Sequence, residues 1–103
     1  MVITVGGKDY EVKYTFNSFQ YMEDFDIEAF EQAEKKPFKL ITTAGILLNG
    51  GLNHDPKVRY KEATVNVLLN EYVKEGGQLP TLLNEMVEEL QESDFFKSLQ
   101  ATE

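Results

Sequence analysis

The residues whose types could do chemistry gather in one stretch, TTAGILLNGGLNHDP, from Thr42 to Pro56. Gly45 and Gly50 have the glycine separation of the phosphate-binding pattern G-x-x-x-x-G-K-[ST]. The next residues are Gly51 and Leu52, where that chemistry needs a lysine for the β/γ-phosphates and a hydroxyl for Mg²⁺. A phosphate loop also follows a buried strand and opens a helix, whereas here a helical pattern leads into the glycines. The stretch therefore predicts Gly50 or Gly51 as a helix C-cap.

His54-Asp55 raises general-base or metal chemistry. A catalytic histidine needs a nucleophile beside it and a partner that orients its ring. Neighbours in a loop do not ordinarily aim their side chains at one another, and no G-x-S-x-G elbow occurs. Zinc needs three or four ligands, and a single histidine without any cysteine leaves only carboxylates to complete the set. The calcium-loop pattern is missing as well. His54 is expected to be an exposed side chain, with Asp55-Pro56 starting a turn into the next helix. The residues point to no catalytic group, no cofactor-binding group and no metal ligand, so the expectation is a protein that is not an enzyme.

Two acidic clusters hold eleven of the eighteen acids: Glu23, Asp24, Asp26, Glu28, Glu31 and Glu34, then Glu85, Glu88, Glu89, Glu92 and Asp94. Acids on a helix face are solvated unless something basic docks on them. At the C-terminal end, DFFKSLQ continues an amphipathic pattern through Phe95, Phe96 and Leu99. Such apolar groups either close the core or dock a partner. The candidate partner-binding residues are Tyr72, Phe95, Phe96 and Leu99.

The elements that must position these groups follow from period and punctuation. In MVITVGGKDYEVKYTF, Ile3 and Val5 flank Thr4, while Tyr10, Val12 and Tyr14 alternate with Glu11 and Lys13. Gly6-Gly7 between them supplies the positive φ angles of a two-residue hairpin turn, which sets Ile3 opposite Tyr10 and Met1 opposite Val12. Asn17, with Gln20 three residues on, predicts a short helix over 18–25. IEAFEQAEKK offers a further turn or two of helix before Pro37. PFKLITTAGILLN reads as a helix apolar nearly all round, hence a central, buried one. GGLNHDPKV is the expected connection to a helix in RYKEATVNVLLNEYVKEGG, where Val65, Leu68, Leu69 and Tyr72 share a face and Gly76-Gly77 stop the chain. The last long helix starts near Pro80 with Leu79, Leu82, Leu83, Met86, Val87 and Leu90 in one stripe, and Ser93-Asp94 interrupts it. The fold class is α+β: one domain over 1–103, with a β-hairpin in 1–16 and four to five α-helices in 17–99.

The totals bound the partners. The 103 residues carry a formal charge of −8, 42% hydrophobic residues and no cysteine. This is a folded chain with no thiol chemistry. Its charge disfavours both nucleic acid and an anionic membrane surface. No basic segment leads an apolar one at the N-terminus, and the charge-free run from Leu40 to His54 is too short and polar to span a bilayer. The expectation is a cytoplasmic protein.

The order of parts carries a resemblance. The glycine-turn hairpin GGKDYEVKYTF, the aromatic first helix, the helix end LLNGGLNHDP and the acidic C-terminal helix resemble the tail assembly chaperones of long-tailed (siphovirus-type) phages and prophages of Gram-positive bacteria. The resemblance spans essentially the whole chain. It implies a non-enzymatic assembly factor of the bacterial host cytoplasm, absent from the mature virion. Such a factor binds the tape measure protein and helps recruit the major tail tube protein during tail morphogenesis. It also implies a small acidic coat for a long helical client, and the hairpin edge offers strand pairing between copies to a homo-oligomer. A different class fits the charge alone: an acidic inhibitor or DNA-mimic-type adaptor of phage origin that occupies a basic groove.

Overall fold

The computed structural model describes residues 1–25 and 35–98, Phe95 by its backbone only. Strands β1 (Val2–Val5) and β2 (Lys8–Glu11) form an antiparallel hairpin, followed among the described residues by five helices. These are α1 (Phe16–Phe19), α2 (Pro37–Leu52), α3 (Glu62–Lys74), α4 (Leu79–Glu92) and α5 (Asp94–Ser98). The architecture is α+β in a single domain.

The hairpin register is the expected one: Ile3 pairs with Tyr10 and Val5 with Lys8. Met1 and Val12 continue the ladder, with the Val12 N–H donating to the Met1 carbonyl at 2.8 Å. Gly6 (φ 61°) and Gly7 (φ 75°) make the turn in the left-handed region, which a Cβ would disfavour. The Gly6 N–H is held by both carboxylate oxygens of Glu75, at 3.1 and 2.9 Å, which ties the turn to the end of α3. On the inner face Ile3, Val5, Val12 and Tyr14 are buried.

Helix α2 is the central element and packs against α4, α1, α3 and β2. Its C-terminal half supplies Ala44, Leu47, Leu48 and Leu52 to the core. Only that half is central, because Phe38 is 82% and Ile41 53% exposed. The expectation of a helix buried along its whole length is corrected here. Hydrophobic period reveals a face but not how far the packed layer extends along it. Helix α4 buries Leu82, Leu83, Met86, Val87 and Leu90 along the predicted stripe, with Leu79 half-buried at its start. Gly76 (φ 95°) follows α3 as the expected left-handed stop, and Ser93 turns the chain from α4 into α5.

One helix start differs from expectation. Thr15, not Asn17, caps α1, which covers 16–19 rather than 18–25. The Thr15 N–H donates to Ser18 Oγ at 3.1 Å, and its hydroxyl donates to the His54 carbonyl at 2.7 Å. Asn17 instead donates its amide to the Asn53 carbonyl, and Gln20 donates to Asn17. The expected turns of helix in 27–36 fall largely on residues 26–34, outside the described residues.

Candidate functional site

The glycines of the 42–56 stretch lie in helix, not in a loop. Gly50 and Gly51 belong to α2, which runs on to Leu52 with Asn53 as its C-cap, so neither glycine is the cap. Close packing explains them. A Cβ on Gly51 would stand 2.4 Å from Val12 Cγ1 and 3.1 Å from the Tyr14 hydroxyl. On Gly50 it would meet Met22 Cγ at 2.1 Å and the Ser18 carbonyl at 3.3 Å. The glycines let the hairpin and α1 lie directly on the α2 backbone, where the Lys13 N–H donates to the Gly51 carbonyl at 3.1 Å. Gly45, whose spacing imitates a phosphate loop, is an ordinary helical residue with open space where a Cβ would be.

Asn53 organises the connection that follows. Fully buried, it donates its amide to the carbonyls of Asn49 (2.8 Å) and Tyr60 (3.1 Å), and it accepts the Tyr60 N–H at 2.7 Å. Residues 53–60 are thereby closed into one loop. Asp55 caps the turn as expected, accepting the Lys57 N–H at 2.9 Å. His54 is half-buried rather than exposed, with Nε2 3.7 Å from Glu11 Oε1. The Thr15 hydroxyl, just before α1, donates to its carbonyl. The polar groups of the stretch therefore engage one another and the hairpin. Among the described residues no group of three or more acidic or histidine side chains is placed to hold a metal ion.

Tyr14 is the buried polar contact beneath this region. Its hydroxyl donates to the Leu47 carbonyl at 2.9 Å. Burial, with Glu89 adding to it, holds its phenol far above the usual range.

Of the candidate partner-binding residues, Tyr72 and Phe96 lie near opposite ends of α4. Tyr72 is half-buried at the α3–α4 corner, its ring against Gly77 and beside Glu85. Burial first, then Glu85, raises its pKa, against a hydrogen bond with the Gln78 backbone. Phe96 lies past the other end of α4, half-buried against the core, where its N–H donates to Ser93 Oγ at 3.1 Å. The Phe95 side chain and Leu99 are outside the described residues.

The exposed large apolar groups lie elsewhere. Phe16 is 71% and Phe19 52% exposed on α1, and Phe38 and Ile41 stand on the first two turns of α2. The sequence places Phe16 at the end of the hairpin segment and Phe19, Phe38 and Ile41 in helices, and none of them at the surface, because period alone does not separate exposed from buried apolar positions. Two open grooves adjoin them. One, of about 690 Å³, is lined by Tyr14, Thr15 and Phe16 on one side and by Glu89, Glu92 and Asp94 on the other. The second, about 500 Å³, runs along Lys35, Lys36, Phe38 and Lys39. Apolar groups rimmed by charge are the chemistry of a protein-binding surface. Among the described residues no helix is long and apolar enough to cross a membrane.

No protein-family model matches the chain, and no curated protein or solved structure matches it either.

Proposed function

We propose that the chain is a tail assembly chaperone of a long-tailed phage or prophage. In this reading it is a non-enzymatic factor of the host cytoplasm, absent from the finished virion. It binds the tape measure protein and helps to recruit major tail tube subunits around it. The observation that carries the proposal is the order of parts: a glycine-turn hairpin, a small-residue helix end packed on it, and an acidic C-terminal helix. Exposed Phe16, Phe19, Phe38 and Ile41 on a chain of net charge −8 support it. A long helical client with exposed apolar seams needs such contacts, and the charge of its cover keeps the complex in solution.

The test is co-expression with the very long open reading frame expected just downstream of this gene. The client should become soluble and co-purify with this protein. An insoluble client and no co-purification would sink the proposal.

A second reading, an acidic inhibitor or DNA-mimic-type adaptor, is favoured by exposed Glu85, Glu88 and Glu92 along α4. It requires strongly salt-dependent binding to a basic partner. Affinity that is equal at low and high salt removes it.

A further inference from the structure

The surface carries two opposed features whose chemistries match. At the start of α2, Phe38 and Ile41 stand among exposed Lys35, Lys36 and Lys39, and none of these lysines is in an ion pair among the described residues. This is an apolar knob with a cationic rim on an otherwise acidic protein. The larger groove is lined by exposed Phe16, with buried Tyr14 beside it, and by Glu92 and Asp94. Neither acid has an ion-pair partner among the described residues. Glu89 already binds the Met1 amino group at 2.5 Å, and Lys13, the lysine on the groove rim, lies 3.6 Å from Glu11. The free charge of the groove is therefore negative, opposite to that of the knob.

We propose that the protein associates with itself head to tail, the Lys35–Ile41 knob of one copy seating in the Tyr14–Phe16/Glu92–Asp94 groove of the next. The groove volume of about 690 Å³ is within the ~300–1,000 Å³ of sites that bury small ligands, room enough for an aromatic ring and an aliphatic neighbour. The two features cannot satisfy each other within one chain. Tyr14 bonds the Leu47 carbonyl, nine residues along α2 from Phe38, or about 14 Å at ~1.5 Å per residue. Because knob and groove are different surfaces, the contact is heterologous. It leaves a free knob and a free groove on every dimer, so growth continues until a ring closes or a filament forms. A contact confined to one groove of this size belongs to the weak, reversible class. The interface does not depend on the tape measure reading, and its test contains only this chain.

The experiment is sedimentation velocity on the full chain from low micromolar to millimolar concentration, at low and high salt. Two double variants, Lys35→Glu/Lys36→Glu and Glu92→Lys/Asp94→Lys, are run alone and mixed, with circular-dichroism melts to show that both fold. Wild type is expected to grow beyond dimer with concentration, and to do so less at high salt. Each variant alone should weaken association at least ~10-fold, because like charges then face each other across the contact. Mixing the two should restore it, since the acidic knob of one variant fits the basic groove of the other. Amide shifts on dilution of wild type should fall on residues 35–41 and 92–94. Wild type that stays monomeric throughout, association unaffected by both reversals, or a mixture that fails to associate would each overturn the proposal.

Discussion

Substituting alanine at two glycines of the same helix should change stability in opposite directions. In a helix interior alanine is favoured over glycine by about 1 kcal/mol. A Cβ on Gly45 would meet nothing within 4 Å, so Gly45→Ala should keep most of that gain. Gly51 lies one residue from the helix end, where the gain shrinks, and its Cβ would stand 2.4 Å from Val12 Cγ1. Val12 is fully buried and cannot swing away. Overpacking of this kind costs about 1–3 kcal/mol, and displacing the Tyr14 ring endangers a hydrogen bond worth about 1 kcal/mol more. The expected outcome is Gly45→Ala more stable by about 1 kcal/mol and Gly51→Ala less stable by about 1–3 kcal/mol. Gly50→Ala should fall between them, because the flexible Met22 side chain takes most of the clash. Urea unfolding followed by far-UV circular dichroism reads the midpoints, with an unchanged slope marking intact two-state behaviour. A Gly51→Ala protein as stable as wild type would refute the close packing of the hairpin on α2.

Three further outcomes follow from single contacts. Tyr14 keeps its proton in the folded state at a pH where the unfolded chain, with a phenol pKa of about 10, gives it up. Stability is therefore intact below about pH 10 and falls as pH rises beyond it; Tyr14→Phe should flatten this slope in alkaline urea titrations, and an unchanged slope would exclude Tyr14 as its source. Asn53→Ala strands the half-buried Tyr60 N–H and the carbonyls it served, so thermal unfolding should show a loss of about 1–3 kcal/mol. Glu75→Ala releases the Gly6 N–H, and that amide should exchange with solvent measurably faster while the α4 amides stay protected.

Where local chemistry and packing agree, the fold could be read from the chain. The Gly6-Gly7 turn pins a period of two, and once the turn is placed no other partner for Ile3 than Tyr10 remains. The α4 stripe works in the same way at a period near 3.6. Gly50-Gly51 misled because their local meaning and their tertiary use are opposed. Glycine pairs stop helices by propensity, yet here the loss of propensity is outweighed by the approach of Val12, Tyr14 and Met22 to the helix backbone. That approach joins residues 28 to 39 positions apart, beyond any window of local pattern. The start of α1 was misplaced for a related reason. Thr15 and Asn17 are both good caps, and what distinguishes them is the carbonyls of His54 and Asn53, brought alongside by the end of α2. His54 was read as exposed because its neighbours in sequence are polar, whereas its neighbours in space are the hairpin and α1.

The exposed apolar residues escaped sequence reading because they have the same types and spacing as core residues. Phe38 and Ile41 sit on the same helix as Ala44, Leu47 and Leu48, and only the extent of the neighbouring elements separates exposed from buried. This difference can be measured. If Phe38 were part of the core, Phe38→Ser would leave a cavity and an unpaired hydroxyl, with a loss of at least ~3 kcal/mol. At 82% exposure the side chain has little burial to lose, and the substitution should change folding stability by no more than about 0.5 kcal/mol. The same variant should lower self-association and, where the tape measure protein is the client, its capture as well. Stability and binding would then separate at one residue: Gly51→Ala loses the fold's close packing, and Phe38→Ser loses only the surface. A Phe38→Ser protein that unfolds at markedly lower urea would place Phe38 in the core and remove it from the interface.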